Sequence, residues 1–281
     1  MKTKILAIFA CLLWGSAFAG AKIGFEYTTP LHLSGMRFML AGLLLIPFLI
    51  YQKIDWISNL KEWRYMLLFG FLQTFIQYGF FFMGLNKVPA AISAIIIGGG
   101  PFFVAVMAHF TMGNDRMSFR KILAIVLGMA GIVFISFAKG GSIHTDISFY
   151  YGVILLIISN IVGASTNIIV AKNRNKVSPV MLTAFANFSG GLILYIVSFF
   201  TEDWYVKPYS LEFYIAWIWL ALIPAVGFSI WYSLLKRPEV KVSELNMWKF
   251  VVPVAGVVLS WLLVPDEYPL SLIHISEPTR P

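Results

Sequence analysis

Two basic side chains lie inside long apolar stretches of the sequence. Arg37 falls within the run 31–50, and Lys249 falls within the run 243–264. A charge at the centre of a membrane span costs about 2.5–3.5 kcal/mol on insertion scales, so such residues are functional candidates by default. Binding a substrate carboxylate or pairing with a buried acid would offset that cost, and Glu244 is one acid whose spacing nearly allows a pair with Lys249. The alternative is that each long side chain reaches back to the membrane surface.

Amide side chains within other apolar runs form two helical stripes. Gln73 and Gln77 are four positions apart and Asn160 and Asn167 are seven apart, so each pair shares one face of a helix. Asn187 lies alone in a further run. Two inward-facing amide stripes would hydrogen-bond a zwitterionic substrate. The alternative is hydrogen bonding between helices, which contributes only about 0.6 kcal/mol on average.

Aromatic residues are abundant, with 25 Phe, 12 Tyr and 9 Trp. Most of them should face lipid or lie at the membrane surface. Four lie inside apolar runs or beside polar positions and are candidates for lining a cavity that accepts an amphipathic substrate, namely Trp14, Tyr78, Trp231 and Trp248.

Backbone irregularities interrupt two of the apolar runs. The segment Gly98-Gly99-Gly100-Pro101 interrupts one, and Pro253 interrupts another at a similar depth. A proline removes a backbone donor and frees a carbonyl one turn earlier, and within a membrane that carbonyl has to face protein or a wet cavity. We expect hinges or cavity-lining kinks in both places. The alternative is a tolerated kink whose glycines allow close helix contact.

The sequence carries no signature of an enzyme. The apolar runs contain no paired-carboxylate motif, and the chain has neither a phosphate-binding glycine loop with a lysine nor a metal-spaced set of His or Cys. The single cysteine, Cys11, excludes a disulfide framework. We therefore predict a protein that is not an enzyme and that needs no metal and no cofactor.

Length and composition define the elements that carry these residues. Of 281 residues, 59% are hydrophobic and 12% are charged, whereas a soluble domain is about 25% charged. This excludes a soluble enzyme, a disordered protein and a nucleic-acid binder, and it leaves the lipid bilayer and a small molecule as the predicted partners. A membrane span needs about 20 mostly apolar residues. Nine such runs are found, at about 4–24, 31–50, 65–84, 90–112, 119–137, 149–171, 179–200, 213–235 and 243–264.

Basic residues are distributed unevenly over the loops between these runs. Fourteen Lys and Arg fall on the side of the N-terminus and four on the other side. Loops that are rich in Lys and Arg face the cytoplasm. The bias predicts a multi-pass protein with a cytoplasmic N-terminus, and the lack of a transit segment and of disulfides fits a bacterial inner membrane.

The two halves of the sequence repeat each other weakly. Five spans in each repeat is an odd number, so the second copy would be inverted, an architecture that recurs in secondary transporters. The alternative is chance similarity among helices of like composition. The matching landmarks are Pro30 with Pro179, Ser16 with Ser165 and Gly42 with Gly191 at an offset of 149, and Pro101 with Pro253 and Asp115 with Glu267 at an offset of 152.

The repeat predicts a tenth span that would begin at Ser271. Residues 271–281 carry Glu277, Arg280 and two prolines and cannot span a membrane. They resemble translated sequencing-adapter read-through. We therefore expect a non-native tail at 271–281, after a natural chain cut near Leu270. A genuine nine-span variant is the alternative.

The order and spacing of several short motifs resemble the EamA-like branch of the drug/metabolite transporter superfamily, over the chain to about Pro269. The resemblance implies an all-α membrane protein with ten helices in two inverted repeats, 1–138 and 149–270, around a central cavity. It implies a secondary transporter, most often an exporter of amino acids or related metabolites, and a tenth helix that would support packing or a homodimer. The motifs are Leu13-Trp14-Gly15-Ser16, Pro30 with Arg37, Ala91-Ile92-Ser93-Ala94 leading to Pro101 and Asp115, Ser243 to Pro253, and Pro265-Asp266-Glu267.

Two other classes of membrane protein remain as alternatives. A non-transporting receptor or assembly subunit predicts a sealed bundle without a central cavity. An intramembrane enzyme would need acids or histidines that converge at one depth, and the apolar runs supply few of them.

Overall fold

The computed structural model describes residues 2–88, 93, 96–137, 147–203 and 207–256, and every regular element within these ranges is helical. A π-helix, Phe71–Gln77, joins α5 to α6, and a short 3₁₀ turn, Trp248–Phe250, follows α12 and leads into a helical stretch at 251–256. The tail at 271–281 and Glu267 lie outside the described residues. The α-helices are α1 Lys2–Phe25, α2 Pro30–Leu44, α3 Ile46–Tyr51, α4 Trp56–Leu60, α5 Trp63–Gly70, α6 Tyr78–Leu85, α7 Gly100–Thr111, α8 Phe119–Phe137, α9 Ile147–Lys172, α10 Pro179–Thr201, α11 Leu211–Leu235 and α12 Val242–Met247.

Five helical segments are long and apolar enough to cross a membrane, and two further apolar helices are shorter. Large apolar side chains point outward from the bundle, among them Ile50 at 64% and Phe200 at 84% exposure. Such a surface suits lipid rather than water. The predicted counts of nine and ten spans stay predictions. The five segments are Pro30–Tyr51, Trp63–Leu85, Ile147–Lys172, Pro179–Thr201 and Leu211–Leu235, and the shorter ones are Thr3–Ala17 and Ile96–Thr111.

The helix starts follow from local sequence. A proline stands in the first turn of both α2 and α10, where its missing N–H has no partner to lose and its fixed φ favours the helix. The hydroxyl of Ser178 caps α10 by accepting a hydrogen bond from the Met181 amide at 3.1 Å. At α2 the cap comes from another helix, because the carboxylate of Glu202 accepts hydrogen bonds from the amides of Leu31 at 2.9 Å and His32 at 3.2 Å.

Helices α2 and α10 pack extensively against each other, and two glycines allow their backbones to approach closely. A Cβ placed on Gly42 would lie 2.7 Å from the Cβ of Phe188, and one placed on Gly191 would lie 2.7 Å from the backbone nitrogen of Met39. The offset of 149 that relates Gly42 to Gly191 also relates Met39 to Phe188. The two contacts are therefore reciprocal, as contacts across a two-fold axis are.

The packing of other helices follows the same relation. Helix α1 packs against α11, while α9 packs against the π-helix and α6. In the predicted repeat, α1 corresponds to α9 and the segment 63–85 corresponds to α11. The first helix of each half thus packs against the third span of the other half, as an inverted repeat predicts. The repeat itself stays a prediction.

Candidate functional site

A cavity of about 170 Å³ lies between α1, the π-helix, α7, α9, α11 and the segment 248–253. Its wall contains nine of the ten side chains predicted as cavity candidates. Their contact with a substrate stays a prediction. The nine are Trp14, Arg37, Gln73, Gln77, Tyr78, Asn160, Asn167, Trp231 and Lys249.

Trp248 is the exception, because it packs against the apolar core instead of lining the cavity. Trp248 is the first residue of the 3₁₀ turn Trp248–Phe250. Its three residues per turn place neighbouring side chains about 120° apart. Lys249 reaches the cavity in this turn, and the preceding tryptophan points away from it.

Arg37 is buried within the bundle, with 4% of its surface exposed. The guanidinium carbon lies 4.5 Å from the ring centroid of Phe38, 4.8 Å from that of Phe82 and 5.7 Å from that of Tyr78. Its Nε has no hydrogen-bond partner. No ion pair of Arg37 occurs within the described ranges. The predicted pairing of Arg37 with a buried acid and its predicted reach to the membrane surface therefore both lack support. Its positive charge faces the cavity.

Lys249 faces the same cavity from the second half of the chain. Its ammonium lies 5.0 Å from the ring centroid of Trp231 and 5.7 Å from that of Trp14. The pairing with Glu244 that the spacing nearly allows is not formed, because that carboxylate lies 3.3 Å from the ammonium of Lys241, three residues away on the outside of the bundle. The ammonium of Lys249 is therefore stabilised by the aromatic faces of Trp14 and Trp231.

The π-helix places the two glutamines at the cavity. The side-chain oxygen of Gln73 accepts a hydrogen bond from the hydroxyl of Thr166 at 2.6 Å, and the backbone oxygen of Gln77 accepts one from Ser159 at 2.9 Å. The side-chain oxygen of Gln77 is buried without a partner. Single π-helical turns occur often at functional sites. The side chain of Gln73 therefore forms a hydrogen bond between helices, whereas the side-chain oxygen of Gln77 is an unpaired acceptor.

Both asparagines of the other stripe bind protein groups. Asn167 accepts hydrogen bonds from the indole of Trp231 at 2.8 Å and from the amide of Asn246 at 3.2 Å. Asn160 donates to the carbonyl of Ile96, just before the glycine segment. The interhelical alternative is therefore observed for these two residues, which also remain in the cavity wall.

The glycine segment breaks the helix as the sequence predicts. A turn at Gly99 separates residues 96–98 from α7, and Gly98 and Gly100 line the cavity. Pro101 does not kink a continuous helix, because it lies in the first turn of α7, buried and away from the cavity. Pro253 lies in a helical stretch and lines the cavity. Whether these breaks act as hinges stays a prediction.

Among the cavity residues that were not predicted are Pro224, Phe228 and Tyr232, all on α11. Pro224 lies inside the helix, and the reasoning that singled out Pro253 would have found it. The hydroxyl of Tyr232 is buried without a partner, although nothing in its sequence context distinguishes it from the tyrosines at the surface.

The cavity is closed toward the end of the bundle that carries the N-terminus. Ala7, Ala10 and Ala108 are fully buried there, and Leu245 is 3% exposed. Toward the opposite end the cavity reaches Ala21 and Leu85, close to the ends of α1 and α6. The cavity is therefore asymmetric along the bundle.

The side chain of Asp115 joins two segments of the chain by hydrogen bonds at the closed end of the cavity. Its carboxylate accepts hydrogen bonds from the ammonium of Lys121 and from both the amide and the hydroxyl of Ser243, at 2.5, 2.8 and 2.5 Å. Burial works to raise the pKa of Asp115, but the hydrogen bonds from Lys121 and Ser243 outweigh it and leave the pKa below its usual value. The contact joins the loop after α7 to the start of α12.

Metal chemistry finds no support in the part of the chain that the structure describes. No three His, Cys, Asp or Glu side chains come together there as a metal site requires.

The sequence model of the EamA-like transporter family matches residues 1–137 and 150–274. The chain belongs to the EamA-like transporter family. As a member of that family with several apolar helices, it is a multi-pass membrane protein.

Relatives of known sequence agree with this assignment. The uncharacterized transporter YvbV of Bacillus subtilis (strain 168) is 25% identical over 97% of this chain and 87% of its own length. A protein of Escherichia coli (strain K12) named "Probable amino-acid metabolite efflux pump" is 24% identical over 95% of this chain and 88% of its own length. A solved crystal structure superimposes with a TM-score of 0.81 at 18% identity, over 93% of this chain and 88% of the other, which shows the shared fold.

Proposed function

We propose that this protein is a secondary transporter that exports small carboxylate-bearing metabolites, amino acids or compounds related to them, by alternating access. The observation that carries the proposal is the cavity, in which two cations from the two halves of the chain, the buried Arg37 and the partly buried Lys249, face one space. Relatives that are named as transporters support the same class of function over an enzyme.

The asymmetry of the cavity supports alternating access. The N-terminal end is closed by apolar packing and by the contacts of Asp115, whereas the cavity extends to Leu85 at the other end. With the N-terminus in the cytoplasm of a bacterium, as the basic loops predict, this arrangement is an outward-facing state. The exporter would load substrate after the Asp115 contacts open and the opposite end closes.

A sealed receptor or assembly subunit fits the geometry less well. In such a protein the burial of Arg37 beside a space of about 170 Å³, with no side-chain acid against it among the described residues, would be an uncompensated cost. A substrate anion that enters and leaves would offset that unfavourable burial.

Counterflow in proteoliposomes tests the function. Vesicles that contain the purified chain are loaded with a mixture of unlabelled amino acids and their keto acids, and the uptake of labelled members of the mixture is compared with that into protein-free vesicles. We expect accelerated exchange of at least one compound. If correctly inserted protein exchanges none of them, the proposal is wrong.

A further inference from the structure

The charges around the cavity are unbalanced. The described cavity wall contains two basic side chains, Arg37 and Lys249, and no Asp or Glu. Both cations lie against aromatic rings, which attract a cation but carry no net charge. A buried charge without a counter-charge is unfavourable. A negative charge on a molecule in the cavity would offset this cost.

The buried polar atoms of the wall residues that lack hydrogen-bond partners are mainly donors. The indole Nε1 of Trp14, the Nε of Arg37 and the hydroxyl of Tyr232 are buried without hydrogen-bond partners. Buried polar groups are normally paired, and an exception needs an explanation. A bound group with several acceptor oxygens, such as a carboxylate, would pair with donors of this kind.

The apolar part of the wall is a row of aromatic rings. The centroid of Phe228 lies 5.6 Å from that of Trp14 and 5.9 Å from that of Tyr78. These rings lie between the two cations, because Lys249 contacts Trp14 and Arg37 contacts Tyr78. An apolar or aromatic substrate body would pack against this row, with its charged group directed to a cation.

We propose that the preferred substrate is an organic anion that lacks a free ammonium group, namely a carboxylate on an apolar or aromatic body, such as a keto acid or an N-acylated amino acid. The proposal rests on the proposed transport function and narrows its substrate class. This substrate preference distinguishes amino-acid derivatives that carry a net negative charge from the zwitterionic amino acids themselves.

An ammonium group finds no matching site in the described wall. The described wall offers no carboxylate to pair with it, and it would share the cavity with the positive charges of Arg37 and Lys249. The faces of Tyr78 and Trp14 are already in contact with these cations. The open oxygen of Gln77 is a neutral acceptor and would not compensate for the repulsion.

Four compounds with one benzyl body test the charge preference directly. Phenylpyruvate and N-acetylphenylalanine are anions, phenylalanine is a zwitterion and phenethylamine is a cation. Their binding to the purified full chain is measured by titration calorimetry. We expect both anions to bind about tenfold or more tightly than phenylalanine, and phenethylamine to bind weakest. Equal or tighter binding of phenylalanine, or no binding of either anion, would overturn the proposal.

Charge-removing variants locate the preference. Arg37→Gln and Lys249→Gln should each weaken the binding of phenylpyruvate about tenfold, and Arg37→Lys should recover part of the loss. Lys172→Gln and Arg120→Gln remove exposed cations away from the cavity and should leave the affinity unchanged. If Arg37→Gln does not fold, Lys249→Gln alone decides. Wild-type affinity in a folded Lys249→Gln protein would contradict the role of this cation.

Parallel flux measurements keep the two proposals distinguishable. If phenylpyruvate binds but neither it nor any other tested compound is exchanged by proteoliposomes, the substrate inference stands as a binding preference and the transport function fails. If phenylalanine is exchanged and phenylpyruvate is not, the transport function stands and the substrate inference fails.

Discussion

The carboxylate of Asp115 accepts hydrogen bonds from both the backbone amide and the hydroxyl of Ser243, at 2.8 and 2.5 Å. These two residues belong to different halves of the chain, in the loop after α7 and at the start of α12. Their contact lies on the closed side of the cavity. It is therefore suited to hold that side shut while the opposite side is open.

Loss of this contact should expose the closed end. Ser243→Ala removes one hydrogen bond and should cost about 1 kcal/mol of stability, whereas Asp115→Asn leaves the buried ammonium of Lys121 without its charged partner, with the carbonyl of Arg116 as its remaining contact, and should cost about 3 kcal/mol. The chain has one cysteine, Cys11, which is fully buried. The rate at which N-ethylmaleimide modifies Cys11 should rise in the order wild type, Ser243→Ala, Asp115→Asn.

Glu244→Gln is the matched control for that order. Its carboxylate is exposed and pairs with Lys241 beside the contact, so it should leave the rate of Cys11 modification unchanged. An equal rate in wild type and Asp115→Asn would show that Asp115 does not hold this end closed.

The stability contributed by Asp115 should depend on pH in one direction. Because the folded state holds the pKa of Asp115 below its usual value, the contribution is complete above the unfolded value of about 3.9 and is lost as the pH falls through the lower folded pKa. The difference in Tm between wild type and Asp115→Asn should stay constant from about pH 7 to about pH 5 and shrink below about pH 4. A difference that grows on acidification would contradict the assigned direction.

The α2–α10 crossing should tolerate no side chain at Gly191. A Cβ there would lie 2.7 Å from the backbone nitrogen of Met39, whereas one on Gly113 would meet nothing within 4 Å. Gly191→Ala should lower the free energy of unfolding by about 1–3 kcal/mol, and Gly113→Ala should leave it nearly unchanged. Thermal unfolding of both variants in detergent checks this, and equal Tm values would show that the crossing is not tightly packed.

Trp231 should contribute more to the cavity than to stability. Trp231→Phe removes the donor to Asn167, which keeps its hydrogen bond from Asn246, so the loss of stability should be about 1 kcal/mol. The variant also removes part of the aromatic surface under Lys249. Phenylpyruvate affinity should therefore fall while the Tm changes little. A fall in Tm without any change in affinity would assign Trp231 a structural role only.

The sequence could predict the cavity residues whose polarity conflicts with their apolar surroundings. Arg37, Lys249 and Gln77 are costly inside a span, and that cost alone marks them. The sequence could not predict which partner each would have. Lys249 meets aromatic faces because the 3₁₀ turn directs it inward, while Glu244 remains outside with Lys241.

Local helix geometry explains the other differences. Trp248 was predicted to line the cavity because it lies inside an apolar run beside a polar position, but it starts a 3₁₀ turn and packs against the apolar core. Pro101 was expected to kink a span, but the break falls at Gly99 and the proline starts the next helix. An apolar sequence is compatible with a continuous helix and with an interrupted one, so tertiary packing decides between the two.

Chemical blocking of the cavity is the most direct test of the claim that substrate passes between Arg37 and Lys249. In a Cys11→Ala background, Ala17→Cys places a thiol in the cavity wall and Gly113→Cys places one on the exposed loop after α7. Both proteins are reconstituted, modified with a benzyl methanethiosulfonate, and assayed for phenylpyruvate counterflow. The account predicts that modification abolishes exchange by Ala17→Cys, that phenylpyruvate slows this modification, and that Gly113→Cys is unaffected. Unchanged exchange by fully modified Ala17→Cys would contradict the claim that substrate passes between Arg37 and Lys249.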